Sequence, residues 1–151
     1  MALDDDIRVL SGVGLFEGLT PDQLRLLAFG AERVRFAAGD AVYGEGAQAD
    51  SAYVVVHGRI ALFHERAGQR IESAIARPGA ILGELALIAE TRRLTSAEAV
   101  EDTLAIRLDR KLFRRMLEEY PEVAEALHQR IVEDIQRMIR QLEQLASRLG
   151  D

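Results

Sequence analysis

Residues 52–65 read AYVVVHGRIALFHE, and a second run of similar texture, TLAIRL, occupies 103–108. From Arg33 to Leu108, short apolar or alternating runs are separated by glycine-bearing turns: AAGD at 37–40, YGEGAQAD at 43–50, HG at 57–58, ERAGQR at 65–70 and RPGA at 77–80. Apolar runs of strand length broken by such turns predict antiparallel β-structure. Strands at this spacing suggest a sandwich or barrel, with the jelly roll a natural candidate.

Helical patterns flank this region. Thr20 before Pro21, with Asp22 and Gln23 in the first turn, predicts a helix from Pro21 to about Ala31, with Leu24, Leu27 and Ala28 on its apolar face. After the strands, DRKLFRRMLEEY carries Asp109 as N-cap, and a longer helix begins at Pro121. Leu127, Ile131, Ile135, Met138, Leu142, Leu145 and Leu149 recur at steps of three and four, which from Ile131 onward is a heptad seam. Such a helix is about 40 Å long and outruns a small sandwich. Folding back on its own domain is one solution, but so narrow a seam fits the same helix of a second subunit better, so a homodimer through the C-terminal helix is expected. Gly150-Asp151 is a plausible helix stop. The expected class is α+β: an antiparallel jelly-roll barrel with N-terminal helices and two C-terminal helices, the last long and coiled-coil-like.

Composition narrows the chemistry. With 151 residues and 48% apolar content the chain builds a core without metal or disulfide staples. It has no cysteine, which excludes thiol catalysis, disulfides and Cys-ligated metal centres. The start, MALDDDIRVL, is acidic and lacks a following apolar region, and no run approaches a membrane span, so a soluble cytoplasmic protein without membrane contact is expected. Nineteen basic residues against 25 acidic ones give a net charge of −6, which argues against a broad nucleic-acid footprint. Any bound anion must be captured locally.

Residues 83–100, GELALIAETRRLTSAEAV, offer such a place. If a short strand follows Gly79, GELALIAE is one short helix whose first residues are Gly83 and Glu84. Its unpaired amides and positive end form a phosphate seat, and glycine lets an anion approach closely. Glu84 would repel a phosphate aimed at it and suits a neighbouring hydroxyl instead, while Arg93 offers a fork of donors matched to two phosphodiester oxygens. Together they ask for a ribose-phosphate. Each alone has a blander explanation: Glu in a first turn complements the dipole, and paired arginines usually face solvent.

The stretch resembles the phosphate-binding cassette of the cyclic nucleotide-binding domain family, roughly Gly-Glu-Leu/Ile-Ala/Gly-Leu, a spacer, then Pro-Arg-Ser/Thr/Ala-Ala. Gly83, Glu84, Leu85, Ala86 and Leu87 match, and Arg93 falls at a family spacing. LFEGLTPDQL resembles the family's N-terminal helical segment, FAAGDAVYGEGAQADSAYVVVHGRI its early strands, and LDRKLFRRMLEEYP the helix after the last strand. Dispersed motifs in order are more specific than one cassette. The resemblance implies one domain over 1–151: a helical segment at 1–32, a jelly roll at 33–108 with the cassette at 83–96, and C-terminal helices at 109–151. It implies a sensor for a 3′,5′-cyclic nucleotide, cAMP ahead of cGMP on family frequency, with no other cofactor and no metal. Glu84 would bind the ribose 2′-hydroxyl and Arg93 the phosphate, with backbone amides around Gly83, Leu85, Ala86 and Leu94 completing the seat. Arg92, where the family often has proline, is a solvated neighbour.

Three departures matter. Leu94 removes the hydroxyl or small residue that normally follows the arginine, and Thr95 supplies a hydroxyl only if the register slips by one. On the last helix, where family members carry an adjacent polar pair touching the base, this chain has Met138 and Ile139, an apolar cap at most. Gly150-Asp151 falls about where a DNA-binding domain begins in bacterial members, so the expectation is a sensor without its own output domain or nucleic-acid contact in this chain, acting through a protein effector or cut from a longer chain that carries the output domain. A second possibility keeps the fold as a dimerisation or protein-interaction module without nucleotide. Catalysis of the metal-dependent jelly-roll type is not expected: His57, His64 and His128 are scattered, each a surface or interface residue in this reading.

Overall fold

A computed structural model describes residues 2–150, with side chains over 3–141 and at 143 and 144. The chain opens with α1 (Ala2–Ser11), a 3₁₀ turn at Gly14–Phe16 and α2 (Pro21–Gly30). Ten strands follow: β1 (Glu32–Phe36), β2 (Ala41–Tyr43), β3 (Gln48–Ala49), β4 (Ser51–His57), β5 (Ile60–Arg66), β6 (Gln69–Ala76), β7 (Ile81–Leu82), β8 (Thr91–Arg92), β9 (Ser96–Ala99) and β10 (Thr103–Asp109). The chain closes with α3 (Arg110–Glu119), a 3₁₀ turn at Pro121–Val123, and α4 (Ala124–Gly150). The turn at Pro121 corrects the expected start of the last helix, because the regular α pattern begins three residues later.

The strands form two four-stranded antiparallel sheets, β1-β10-β4-β7 and β2-β9-β5-β6, and a separate β3-β8 ribbon. This is a jelly roll, open between its sheets instead of running as one closed barrel. The central apolar run is unbroken because both faces of β4 are covered. Ala52, Val54 and Val56 face a cluster built with Leu104, Ile106 and Leu108 of β10 and the helices, whereas Val55 joins Ile60, Leu62, Ala76, Leu82 and Ala97 between the sheets. At the β4–β5 hairpin, Gly58 sits at φ 91°, and a Cβ there would meet the Asp102–Thr103 backbone. No other residue fits that corner without strain.

Both expected caps form. Thr20 accepts from Gln23 N–H while the Gln23 side chain accepts from Thr20 N–H, a reciprocal capping box. Asp109 Oδ1 accepts from Leu112 N–H at 2.8 Å, starting α3 where β10 ends.

The last helix differs from the expected free seam. Leu127, Ile131 and Ile135 are 1%, 0% and 8% exposed, buried against Leu10, Val13, Phe16 and Leu87 of the same chain. Arg130 reinforces this docking by donating Nη1 to the carbonyls of Leu15, at 3.0 Å, and Glu17. The proximal seam therefore serves the chain's own core; Leu142, Leu145 and Leu149 lie outside the described side chains. Ile131→Ala should lower stability by about 2–5 kcal/mol through an internal cavity. Denaturant unfolding checks this: the loss should not depend on protein concentration, as a loss at a subunit seam would.

Candidate functional site

The cassette leaves β7, makes one 3₁₀ turn over Glu84–Leu87, passes through β8 of the small ribbon and rejoins a sheet at β9. The short helix expected over GELALIAE is thus corrected to a single tight turn. Gly83 precedes it in the left-handed region, φ 71° and ψ 31°, and Ile88 at φ −115° ends it. Ala86 N–H donates to Gly83 O at 3.1 Å, so this amide, expected to face a phosphate, is already engaged. One 3₁₀ turn carries little aligned dipole. Positive charge at the site must come from a side chain.

Arg93 supplies it. The residue is 8% exposed, its Nη1 donates to Ser51 O at 2.8 Å, and Nη2 lies 3.4 Å from Ser51 Oγ. Its Nε has no partner. The guanidinium carbon lies 4.2 Å from the Tyr43 ring centroid and 6.0 Å from that of Tyr53. A Cβ at position 83 would collide with Arg93 Nη1, so glycine is required there for packing as well as for its positive φ. Among the described residues no carboxylate forms an ion pair with Arg93. Burial lowers the guanidinium's basicity, and the two tyrosines oppose that shift.

Glu84 is 3% exposed. Burial pushes its carboxyl up to about 7, its own backbone amide pulls the other way, and Asp134 on α4 adds to the rise. Leu85, Ala86, Leu94 and Thr95 line a small cavity with Gly83, Arg93 and Tyr43, while Glu84 is not on its wall. Ile135 and Met138 of α4 close it. Its volume is about 30 Å³, room for roughly one water. Sites for small-molecule ligands usually measure about 300–1,000 Å³.

Of the expected base cap, Met138 reaches this cavity and Ile139 does not, being 40% exposed and absent from the wall. Adjacent helix positions are about 100° apart, so both cannot face one cavity. Ile135, three residues before Met138, takes the second position; its place on the same apolar stripe was the available signal. Tyr43 was also missed, since it reaches the cassette only through the pairing of β2 with β9. Arg92 is exposed and donates Nη1 to Gly46 O at 2.9 Å. His57 and His128 are exposed, but His64 is buried on β5, against the expectation of a surface residue, with Nδ1 3.0 Å from Glu45 Oε2. Among the described residues no cluster of three or more acidic or histidine side chains could hold a metal, and no helix is long and apolar enough to cross a membrane.

The sequence pattern of the cyclic nucleotide-binding domain matches residues 33–120, which is more than half of the chain. The chain belongs to the cyclic nucleotide-binding domain family. It is 32% identical to the cyclic AMP receptor protein of Thermus thermophilus over 78% of its own length and 55% of that protein's, so it spans about half of that relative. Among solved structures, a cyclic nucleotide-binding-like protein from Brucella abortus is 57% identical at a TM-score of 0.70, covering 76% of this chain and 99% of that one. The N-terminal domain of a transcriptional regulator from Streptomyces coelicolor aligns at a TM-score of 0.77 and 27% identity, covering 89% and 94%. The cavity beside the matched cassette segment is narrow.

A carboxyl with a folded pKa near 7 and an ordinary value of 4.5 binds its proton more tightly when folded. Its stabilising contribution is complete below about pH 4.5 and is lost as pH rises through 7. Melts at pH 5 and pH 8 should therefore differ by roughly 2–3 kcal/mol in favour of pH 5, and Glu84→Gln should flatten that component.

Proposed function

We propose that the chain is a sensor for a 3′,5′-cyclic nucleotide, cAMP ahead of cGMP, without catalytic activity of its own. The observation that carries this reading is Arg93: a buried guanidinium with an unpartnered Nε and, among the described residues, no carboxylate paired with it, in the segment that matches the family cassette. Such a cation is a strong site for a phosphodiester, whose exocyclic oxygens accept from the fork. Glu84 accepts from the ribose 2′-hydroxyl, and the amides of Leu85 and Leu94 add donors.

Nucleotide entry then requires motion, because the cavity is about 30 Å³ and is roofed by α4. Ligand favours the conformation in which Ile135 and Met138 have withdrawn, and its differential affinity for that conformation is the signal. The exposed Ile139 and the distal seam positions Leu142, Leu145 and Leu149 are where a second copy would dock, giving a cytoplasmic homodimer that acts on a protein effector or an attached output domain. A second reading is favoured by the closed cavity and by Leu94: an interaction module that keeps the fold and binds no nucleotide.

Calorimetric titration separates the two. The sensor reading expects saturable heat with cAMP, weaker heat with cGMP, and a loss of about 2 kcal/mol or more in Arg93→Ala. Absence of heat or thermal shift with either nucleotide at millimolar concentration favours the interaction module. Unchanged affinity in Arg93→Ala places the anion elsewhere.

A further inference from the structure

Among the described residues Arg93 has no ion-pair partner, yet its guanidinium is fixed by its neighbours. The two ends of its guanidinium are spent on Ser51, with Nη1 on the carbonyl and Nη2 at the hydroxyl, and one flank lies against the Gly83 backbone. Nε stays without a partner, and the guanidinium carbon lies over the Tyr43 ring, 4.2 Å from its centroid. Tyr53 stands at 6.0 Å, and the two tyrosine rings are 6.2 Å apart, so the cation sits beside an aromatic pair. Tyr43 ends β2 opposite Ala97 of β9, which fixes its ring position from the sheet instead of from the cassette.

An aromatic face stabilises a cation through its quadrupole and leaves the formal charge intact. A carboxylate in the same place would satisfy the arginine equally well and would then compete with an incoming phosphate. Tyr43 also lines the cavity together with Thr95. Burial pushes the phenol up to about 12, so it stays neutral at working pH and adds no negative charge.

We propose that Tyr43 is a positioning residue of the nucleotide site: its ring, lying against the Arg93 guanidinium, holds that cation in place while the site is closed, so that the phosphate meets a preset cation. The inference rests on the nucleotide-sensor reading for its consequence, though the stack itself does not depend on it. Preset orientation saves the ordering cost of a long side chain at the moment of binding, so removing the ring should weaken phosphate capture without removing a ligand contact.

Two readouts test it. In the ¹H–¹⁵N spectrum of the nucleotide-free protein, the Arg93 Nε–H should show a ring-current shift that persists in Tyr43→Phe and disappears in Tyr43→Ile. An unshifted Arg93 signal in the unmutated protein overturns the stack directly, whatever the variants do. In calorimetric titration with cAMP, Tyr43→Phe should stay within about twofold of the parent, whereas Tyr43→Ile should bind about tenfold more weakly at an unchanged melting temperature. Equal losses in Phe and Ile would assign the effect to the hydroxyl and overturn the proposal, as would full affinity in Tyr43→Ile once the Arg93 signal has moved. If the unmutated protein binds no cyclic nucleotide, the sensor reading fails and with it Tyr43's role in phosphate capture, while the spectrum still decides whether the ring holds Arg93.

Discussion

A guanidinium buried without a carboxylate is the constraint around which this domain is arranged. Burying an uncompensated cation costs several kcal/mol unless its donors are met. Here Ser51 meets two of them from the start of β4, the tyrosine rings face the plane, and glycine at position 83 clears the space. Each of these comes from a different part of the chain, so the jelly roll must be assembled before Arg93 is placed. In the proposed sensor, the charge that remains unneutralised is what receives the phosphate.

The second constraint is the roof. The helix that covers the cassette is also part of the main core, since Ile135 lines the cavity and belongs with Leu127 and Ile131 to that core. Exposing Ile135 and the half-buried Met138 would cost about 3–4 kcal/mol in apolar surface. A nucleotide that binds the open form with nanomolar affinity, about 12 kcal/mol, would open the roof and keep about 8–9 kcal/mol, which is micromolar or better. Arg130 ties the same helix to the N-terminal 3₁₀ turn, which links movement of the roof to the N-terminal helices.

Much of this was readable before any coordinates. The turn spacing between 37 and 80 predicted the strands, and Thr20 and Asp109 marked helix starts that the hydrogen bonds bear out. Glu84 and Arg93 were legible because their spacing matches a family pattern. What was not legible depends on contacts distant in sequence. The left-handed Gly83 converts a predicted helix into one 3₁₀ turn, a backbone choice that GELALIAE does not announce. Tyr43 lies 50 positions before Arg93 and meets it only through sheet pairing. The seam from Ile131 was correctly apolar, but periodicity does not say whether the partner is another chain or the chain's own core; Ile131 and Ile135 are buried in the latter.

The central claim is that α4 closes the cassette and that nucleotide opens it. The chain has no cysteine, so cysteines introduced at exposed Gln136 on α4 and Glu72 on β6 give a unique pair for spin labels. Pulsed electron-resonance distances measured without ligand, with cAMP and with 5′-AMP test the claim most directly. The account expects one closed distance distribution alone and with 5′-AMP, and a shift of several ångströms toward a second distribution with cAMP. A distribution unchanged when calorimetry shows cAMP to be bound would contradict it.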